Sequence, residues 1–246
     1  MSTAPLDGRV VAVTGSSRGI GAATARAFAA GGAAVLVNSA RTVAQGEAVA
    51  AELPDALYVQ GDIAAPEVPA RVVDAALARW GRLDVLVNNA GTTALIPHHD
   101  VEAATADVWR QIFEVNVFGT WAMSVAALPA LREVRGCIVN VASVAGVRPI
   151  GSSIPYAASK AALNHMTVLL AKVVGPEVRV NAVAPGLIDT PWTEEWDVVR
   201  EAVRQMAPLK RSGSPEDVAE VIVDLAGAAY VTGQVLVVDG GLTLAT

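Results

Sequence analysis

Hydrophobic positions in this chain follow two patterns that alternate from one end to the other. Short unbroken runs rich in Val, Ile and Leu read as strands buried on both faces: Arg9 to Thr14, Ala33 to Val37, Leu57 to Gln60, Leu83 to Val87, Ile138 to Val141, Val178 to Val183 and Val235 to Val238. Between them the composition turns helical, over Ile20 to Ala30 (closed by Gly31-Gly32), Val43 to Leu53, Val68 to Trp80, about Thr105 to Leu131, the segment after Pro155, and Pro215 to Ala226. This alternation predicts an α/β fold: a single domain built on a doubly wound parallel sheet of about seven strands, with helices on both faces. Pro191 to Met206 follows neither pattern and is read as a loop.

Between the first strand and first helix lies Thr14-Gly15-Ser16-Ser17-Arg18-Gly19-Ile20-Gly21. Glycines at 15, 19 and 21 let the backbone turn tightly and approach a pyrophosphate, whose charge the helix N-terminus meets. A second stretch carries acid–base chemistry. The strand ending at Val141 delivers Ser143 to the rim of the sheet, and on the following helix Tyr156 and Lys160 stand four residues apart on one face. An ammonium held close lowers a phenol's pKa from about 10, which suits Tyr156 to general acid or base work. Ser143, able to donate and accept, can hold a carbonyl or alcohol oxygen against it.

In these residues and several others the chain resembles the classical short-chain dehydrogenase/reductase (SDR) family over nearly its whole length. The glycine motif, Asn88-Asn89-Ala90-Gly91, the set Asn116, Ser143, Tyr156 and Lys160, the segment Pro185-Gly186 with Ile188 and Thr190, and Asp239-Gly240-Gly241 match that family's motifs in order. The resemblance implies a Rossmann-type domain spanning 1–246, with a coenzyme part at about 8–145 and a substrate part at about 146–246. It implies that Tyr156 donates the proton in reduction, that Lys160 lowers its pKa and binds the nicotinamide ribose, that Ser143 positions the substrate oxygen, and that Asn116 holds a water linking Lys160 to solvent. Coenzyme contacts are implied for Gly15, Ser17, Arg18, Gly19, Ile20, Gly21, Ser39, Arg41, Asp62, Ile63, Asn89, Ala90, Gly91, Tyr156, Lys160, Pro185, Gly186, Ile188 and Thr190. Asn88 is weighed as a structural bridge at the sheet centre.

The end of the second strand, Asn38-Ser39-Ala40-Arg41, holds no carboxylate for a ribose 2′-hydroxyl, whereas Arg18 and Arg41 can pair with a 2′-phosphate. NADP(H) is therefore expected over NAD(H), which stays possible. The leading expectation is an NADPH-dependent carbonyl reductase or alcohol dehydrogenase. A 3-oxoacyl-thioester (acyl-carrier-protein) reductase is the alternative, weakened because Leu131-Arg132-Glu133-Val134-Arg135 lacks the basic run such members often carry. From another class, a non-catalytic NADP-binding redox regulator is set against the complete tetrad.

Composition narrows the partners. A net charge of −6 and a pI near 5.1 argue against nucleic acid or a membrane surface. The longest uncharged run, Val115 to Leu131, is interrupted by Asn116, Gly119, Ser124 and Pro129 and falls short of a membrane span. Met1 to Pro5 show no secretion signal, and Cys137, the only cysteine, excludes an internal disulfide, so a cytoplasmic protein is expected. His98 and His99 lack partners at ligand spacing, and no metal site is expected.

At 53% hydrophobic and 17% charged residues, part of the surface is expected to be buried between subunits. The helix Ala161 to Val174 carries Leu163, Met166, Val168, Leu169, Leu170 and Val173 around much of its circumference, pointing to a homo-oligomer, which the family resemblance implies to be a homotetramer or homodimer. For the small-molecule substrate, Trp192 and Trp196, four apart, are expected to share a helix face as one apolar wall, with Ile150 and Ile154 opposite. A bulky apolar or aromatic ketone follows.

Overall fold

The computed structural model describes residues 6–245. Met1 to Pro5, read above for a secretion signal, lie outside the described residues. Seven parallel strands form one sheet in the order β3-β2-β1-β4-β5-β6-β7: β1 (Val10–Val13), β2 (Ala34–Ser39), β3 (Ala56–Gln60), β4 (Val85–Asn88), β5 (Cys137–Val141), β6 (Arg179–Pro185) and β7 (Val235–Val238). The helices are α1 (Gly19–Ala30), α2 (Val43–Glu52), α3 (Val68–Trp80), α4 (Ala106–Phe113), α5 (Thr120–Val134), α6 (Ile154–Val174), α7 (Asp197–Met206) and α8 (Pro215–Gly227).

The doubly wound expectation holds because each central strand is apolar on both faces and each face has its own core. One core gathers Phe28, Val35, Val37, Val139 and Ile222 beneath α1 and α8; the other gathers Leu86, Met123, Leu131, Ile138 and Val180 beneath α3, α5 and α6. Between the faces runs a chain of amides. Asn88 Nδ2 donates to Asn140 Oδ1 at 2.9 Å and to Ser124 Oγ at 3.1 Å, and Asn140 Nδ2 donates to Thr167 Oγ1 at 2.9 Å. Asn88 is thus the structural bridge weighed from the sequence.

Two elements differ from expectation. The long helix is interrupted by a π-helical segment at Glu114–Gly119, at whose end Gly119 lies against Ile63, where a Cβ would come within 3.0 Å of the Ile63 carbonyl oxygen. The stretch expected as loop contains α7: Val198, Val199, Ala202, Val203 and Met206 recur at helical spacing, a local signal that the loop expectation passed over, and Val203 and Ala207 pack on Leu242. The span Ala106–Val134 is long and apolar enough by composition to cross a membrane, yet Met123, Ala127 and Leu131 on it are buried in the domain core.

The order of strand addition reverses between β1 and β4, so the connections leaving their carboxyl ends run to opposite sides and leave a crevice there. The register Val13↔Val87, Asn88↔Asn140 and Val141↔Val183 brings Thr14, Asn89, Ala142 and Pro185 to that one edge.

Candidate active site

An open cleft of about 970 Å³ lies along this edge. Nearly every residue expected from the sequence to touch coenzyme or substrate lines it, and the exceptions are Gly21, Asn116 and Ile154. Gly21 sits one layer behind: a Cβ there would meet Asn89 Nδ2 and the Gly15 carbonyl oxygen at 2.5 Å, so only glycine lets the first helix start beside the loop. Gly15, at φ +63°, has Ala90 Cα within 2.8 Å of where its Cβ would be.

The glycine turn is locked to the loop after β4. Thr14 Oγ1 accepts the backbone N–H groups of Asn89 and Ala90, each at 3.0 Å, and Asn89 Nδ2 donates to the carbonyls of Thr14 and Gly15, each at 2.9 Å. Thr14 was not singled out from the sequence, where it is only the last residue of a strand. The Asn89 amide is accordingly spent on the turn, while the backbone of Asn89 to Gly91 borders the cleft. At the far end Ser17 and Thr42 hydroxyls are 2.6 Å apart, and the Ser39 hydroxyl donates to the Thr42 carbonyl at 3.1 Å. Arg18 and Arg41 are both exposed beside them and form no ion pair among the described residues.

Tyr156 enters through the start of α6. Ser153 caps that helix, its Oγ accepting the Tyr156 N–H at 3.3 Å, and Pro155 occupies the first turn. Ser-x-Pro ahead of a helical stretch is a legible start signal, and Ser153 could have been found by it. The Asn116 side chain, fully buried at the centre of the π segment, donates to Thr92 O at 2.9 Å and Ser159 Oγ at 3.0 Å and accepts the Thr92 N–H at 2.8 Å. Ser159 Oγ in turn donates to the Tyr156 carbonyl at 2.7 Å. Asn116 thus ties the loop after β4 to the helix bearing Tyr156 and Lys160.

Lys160 is buried, and its Nζ donates to the Val141 carbonyl at the end of β5 at 2.8 Å. Burial lowers its pKa from 10.5 to about 8. The phenol does not shift as the spacing suggested. Nζ lies 5.8 Å from the Tyr156 ring centroid, and burial pushes the phenol above its ordinary value; the neighbouring Ser143 hydroxyl favours the phenolate by less. Ser143 Oγ itself accepts the Ala145 N–H at 3.1 Å, which holds the hydroxyl at the cleft.

On the substrate side the two tryptophans do not share a helix face, because α7 starts only at Asp197 and Trp196 caps it. Both still line the cleft, and the Trp192 ring stands edge-on to Tyr156 with centroids 6.3 Å apart. Ile150 faces the cleft as expected. Ile154 does not: as the first residue of α6 it points outward and is exposed. Val198, Val199 and Met206 of α7 extend the apolar wall.

A family model described as enoyl-(acyl carrier protein) reductase matches residues 15–243, from the glycine turn to the C-terminal turn. The chain belongs to the short-chain dehydrogenase/reductase family. Among SDR relatives, a protein named as ketoacyl reductase 2 of the granaticin polyketide synthase of Streptomyces violaceoruber is 56% identical, covering 99% of this chain and 100% of its own. The 3-oxoacyl-[acyl-carrier-protein] reductase FabG of Thermotoga maritima is 40% identical, over 97% of this chain and 99% of its own. A crystal structure of an SDR protein from Burkholderia xenovorans superposes with a TM-score of 0.90 at 37% identity, covering 96% of this chain and 98% of that one. As an SDR protein the chain is an NAD(P)-dependent oxidoreductase acting on small molecules.

Proposed function

We propose that this SDR enzyme reduces a bulky ketone to a secondary alcohol with NADPH. The observation that carries the reading is the convergence of Ser143, Tyr156 and Lys160 on one cleft, with Asn116 locking their supports together. The cleft fits a dinucleotide: Gly15 and Gly19, both at positive φ, border it with bare backbone, and Arg18 and Arg41 stand without acidic partners among the described residues where a 2′-phosphate would end. A bound nicotinamide supplies the hydride.

The residues of the chain do the rest. Tyr156, kept protonated by burial, is in the form that gives a proton to the carbonyl oxygen as charge develops there. Ser143 holds that oxygen by a second hydrogen bond. Lys160 keeps a charge at neutral pH and, hydrogen-bonded to Val141 O, presents its remaining N–H donors to the ribose hydroxyls. Trp192 and α7 exclude water and favour apolar or aromatic substrates.

A 3-oxoacyl thioester as the ketone is the second reading, supported by relatives named as ketoacyl and 3-oxoacyl reductases. We extend the proposal to a cytoplasmic homotetramer or homodimer. Phe118, Trp121 and Val125 on one helix and Val168, Leu169 and Val173 on α6 are exposed apolar residues that a second subunit would cover. The test is NADPH oxidation over aromatic ketones, small sugars and 3-oxoacyl thioesters. Turnover of aromatic ketones or of thioesters separates the two readings, and tight NADPH binding without turnover of any compound favours the redox regulator.

A further inference from the structure

At the opposite, amino-terminal edge of the sheet, four neighbouring strands each bring one arginine to a common place. Arg9 precedes β1, Arg82 precedes β4, Arg135 precedes β5 and Arg179 opens β6, and β1-β4-β5-β6 are consecutive in the sheet. Their side chains border one small polar pocket of about 150 Å³ with Asp84.

Asp84 does not balance this charge. Both of its oxygens are taken by Arg82, at 2.6 and 2.9 Å, and Oδ2 also accepts the Val10 N–H at 2.9 Å. Arg179 is fixed by donating to the carbonyls of Leu225 and Val231 through Nη1 and of Ala226 through Nη2. Arg9 and Arg135 donate no side-chain hydrogen bond among the described residues. Two unspent guanidinium forks and a third held charge therefore face one pocket, in a protein whose net charge is −6. Like charges gathered in this way repel, and an anion between them converts repulsion into charge-assisted hydrogen bonds.

We propose that this pocket binds a small doubly charged oxyanion of the phosphate type. The volume sets the class, since ligand pockets for nucleotides and drug-sized molecules run to roughly 300–1,000 Å³. Forked guanidiniums set the chemistry, because they match tetrahedral oxyanions with paired donors. The site is remote from the cleft, at the other end of the same strands.

The experiment is calorimetric titration of inorganic phosphate into the protein saturated with NADPH, so that the coenzyme's own phosphate contacts are occupied. One site per chain is expected, with Kd on the order of 1 mM. The double variant Arg9→Gln, Arg135→Gln should weaken it at least about tenfold while keeping coenzyme turnover, which shows it folded. The Arg18→Gln, Arg41→Gln pair, at the far cleft, should leave it unchanged. If the double variant folds poorly, Arg9→Lys and Arg135→Lys singly, which keep charge but lose the fork, should each weaken binding. No phosphate binding to the NADPH-saturated protein, or equal binding by wild type and the Arg9 and Arg135 variants, overturns the proposal.

Discussion

The two sides of the cleft are built differently. On the coenzyme side the polar groups are cross-tied: Thr14 to Asn89 and Ala90, Asn89 to the glycine turn, Asn116 to Thr92 and Ser159, Lys160 to Val141. On the substrate side, α7 and its approach expose Trp192, Val198, Val199 and Met206, and are held by Val203 and Ala207 on Leu242 and by Arg200 bridging Asp189 and Asp197. A lattice of buried hydrogen bonds fixes positions to fractions of an ångström and tolerates little change. An apolar flap held by a small hydrophobic cluster and the ion pairs of one arginine can be remodelled without disturbing the floor. On the proposed function, the chemistry belongs to the tied side and substrate choice to the flap.

Substitutions on the tied side should have the larger effects. Gly21→Val drives a branched side chain into Asn89 and the Gly15 carbonyl, and should weaken NADPH binding by about 3 kcal/mol, read as fluorescence titration. Arg41→Ala should cost about 1.5–3 kcal/mol in kcat/KM with NADPH and leave NADH use nearly unchanged. Equal losses with both coenzymes would assign Arg41 to something other than the 2′-phosphate.

Lys160→Met should stabilise the fold at pH 7 by about 1–3 kcal/mol while abolishing turnover, because a buried ammonium is replaced by an apolar chain of similar length. The sign follows from the direction of the shift. The folded pKa, about 8, lies below the unfolded 10.5, so the penalty is full below pH 8 and fades between the two as the folded lysine releases its proton first. Denaturation at pH 7 and pH 10 should show the gain shrinking at the higher pH.

On the flap the effects should be smaller and selective. Trp192→Ala should lower kcat/KM for a bulky aromatic ketone by about 1 kcal/mol and barely alter a small one. Equal kcat/KM for the bulky ketone in both proteins would remove Trp192 from the substrate wall.

The contrast also explains what the sequence disclosed. Sheet and helices were legible because unbroken Val and Ile runs in buried strands leave a local pattern, and the glycine turn because close approach admits one residue type. The roles of Thr14 and of Ser159 were not, since each acts through partners far away in sequence or through backbone groups that any residue carries. The spacing of four between Trp192 and Trp196 does not give a shared helix face, because the helix begins only after Trp196. The shift of the Tyr156 phenol was misread because spacing reports that a lysine is near, whereas burial and the Val141 carbonyl decide where its ammonium goes.

The most direct measurement pairs NADPH binding with turnover in Tyr156→Phe, which removes one hydroxyl from the cleft. Proton donation by that phenol predicts an unchanged NADPH affinity and a kcat lower by roughly 10²–10⁴-fold. A Phe variant that binds NADPH and retains most of its turnover would contradict it.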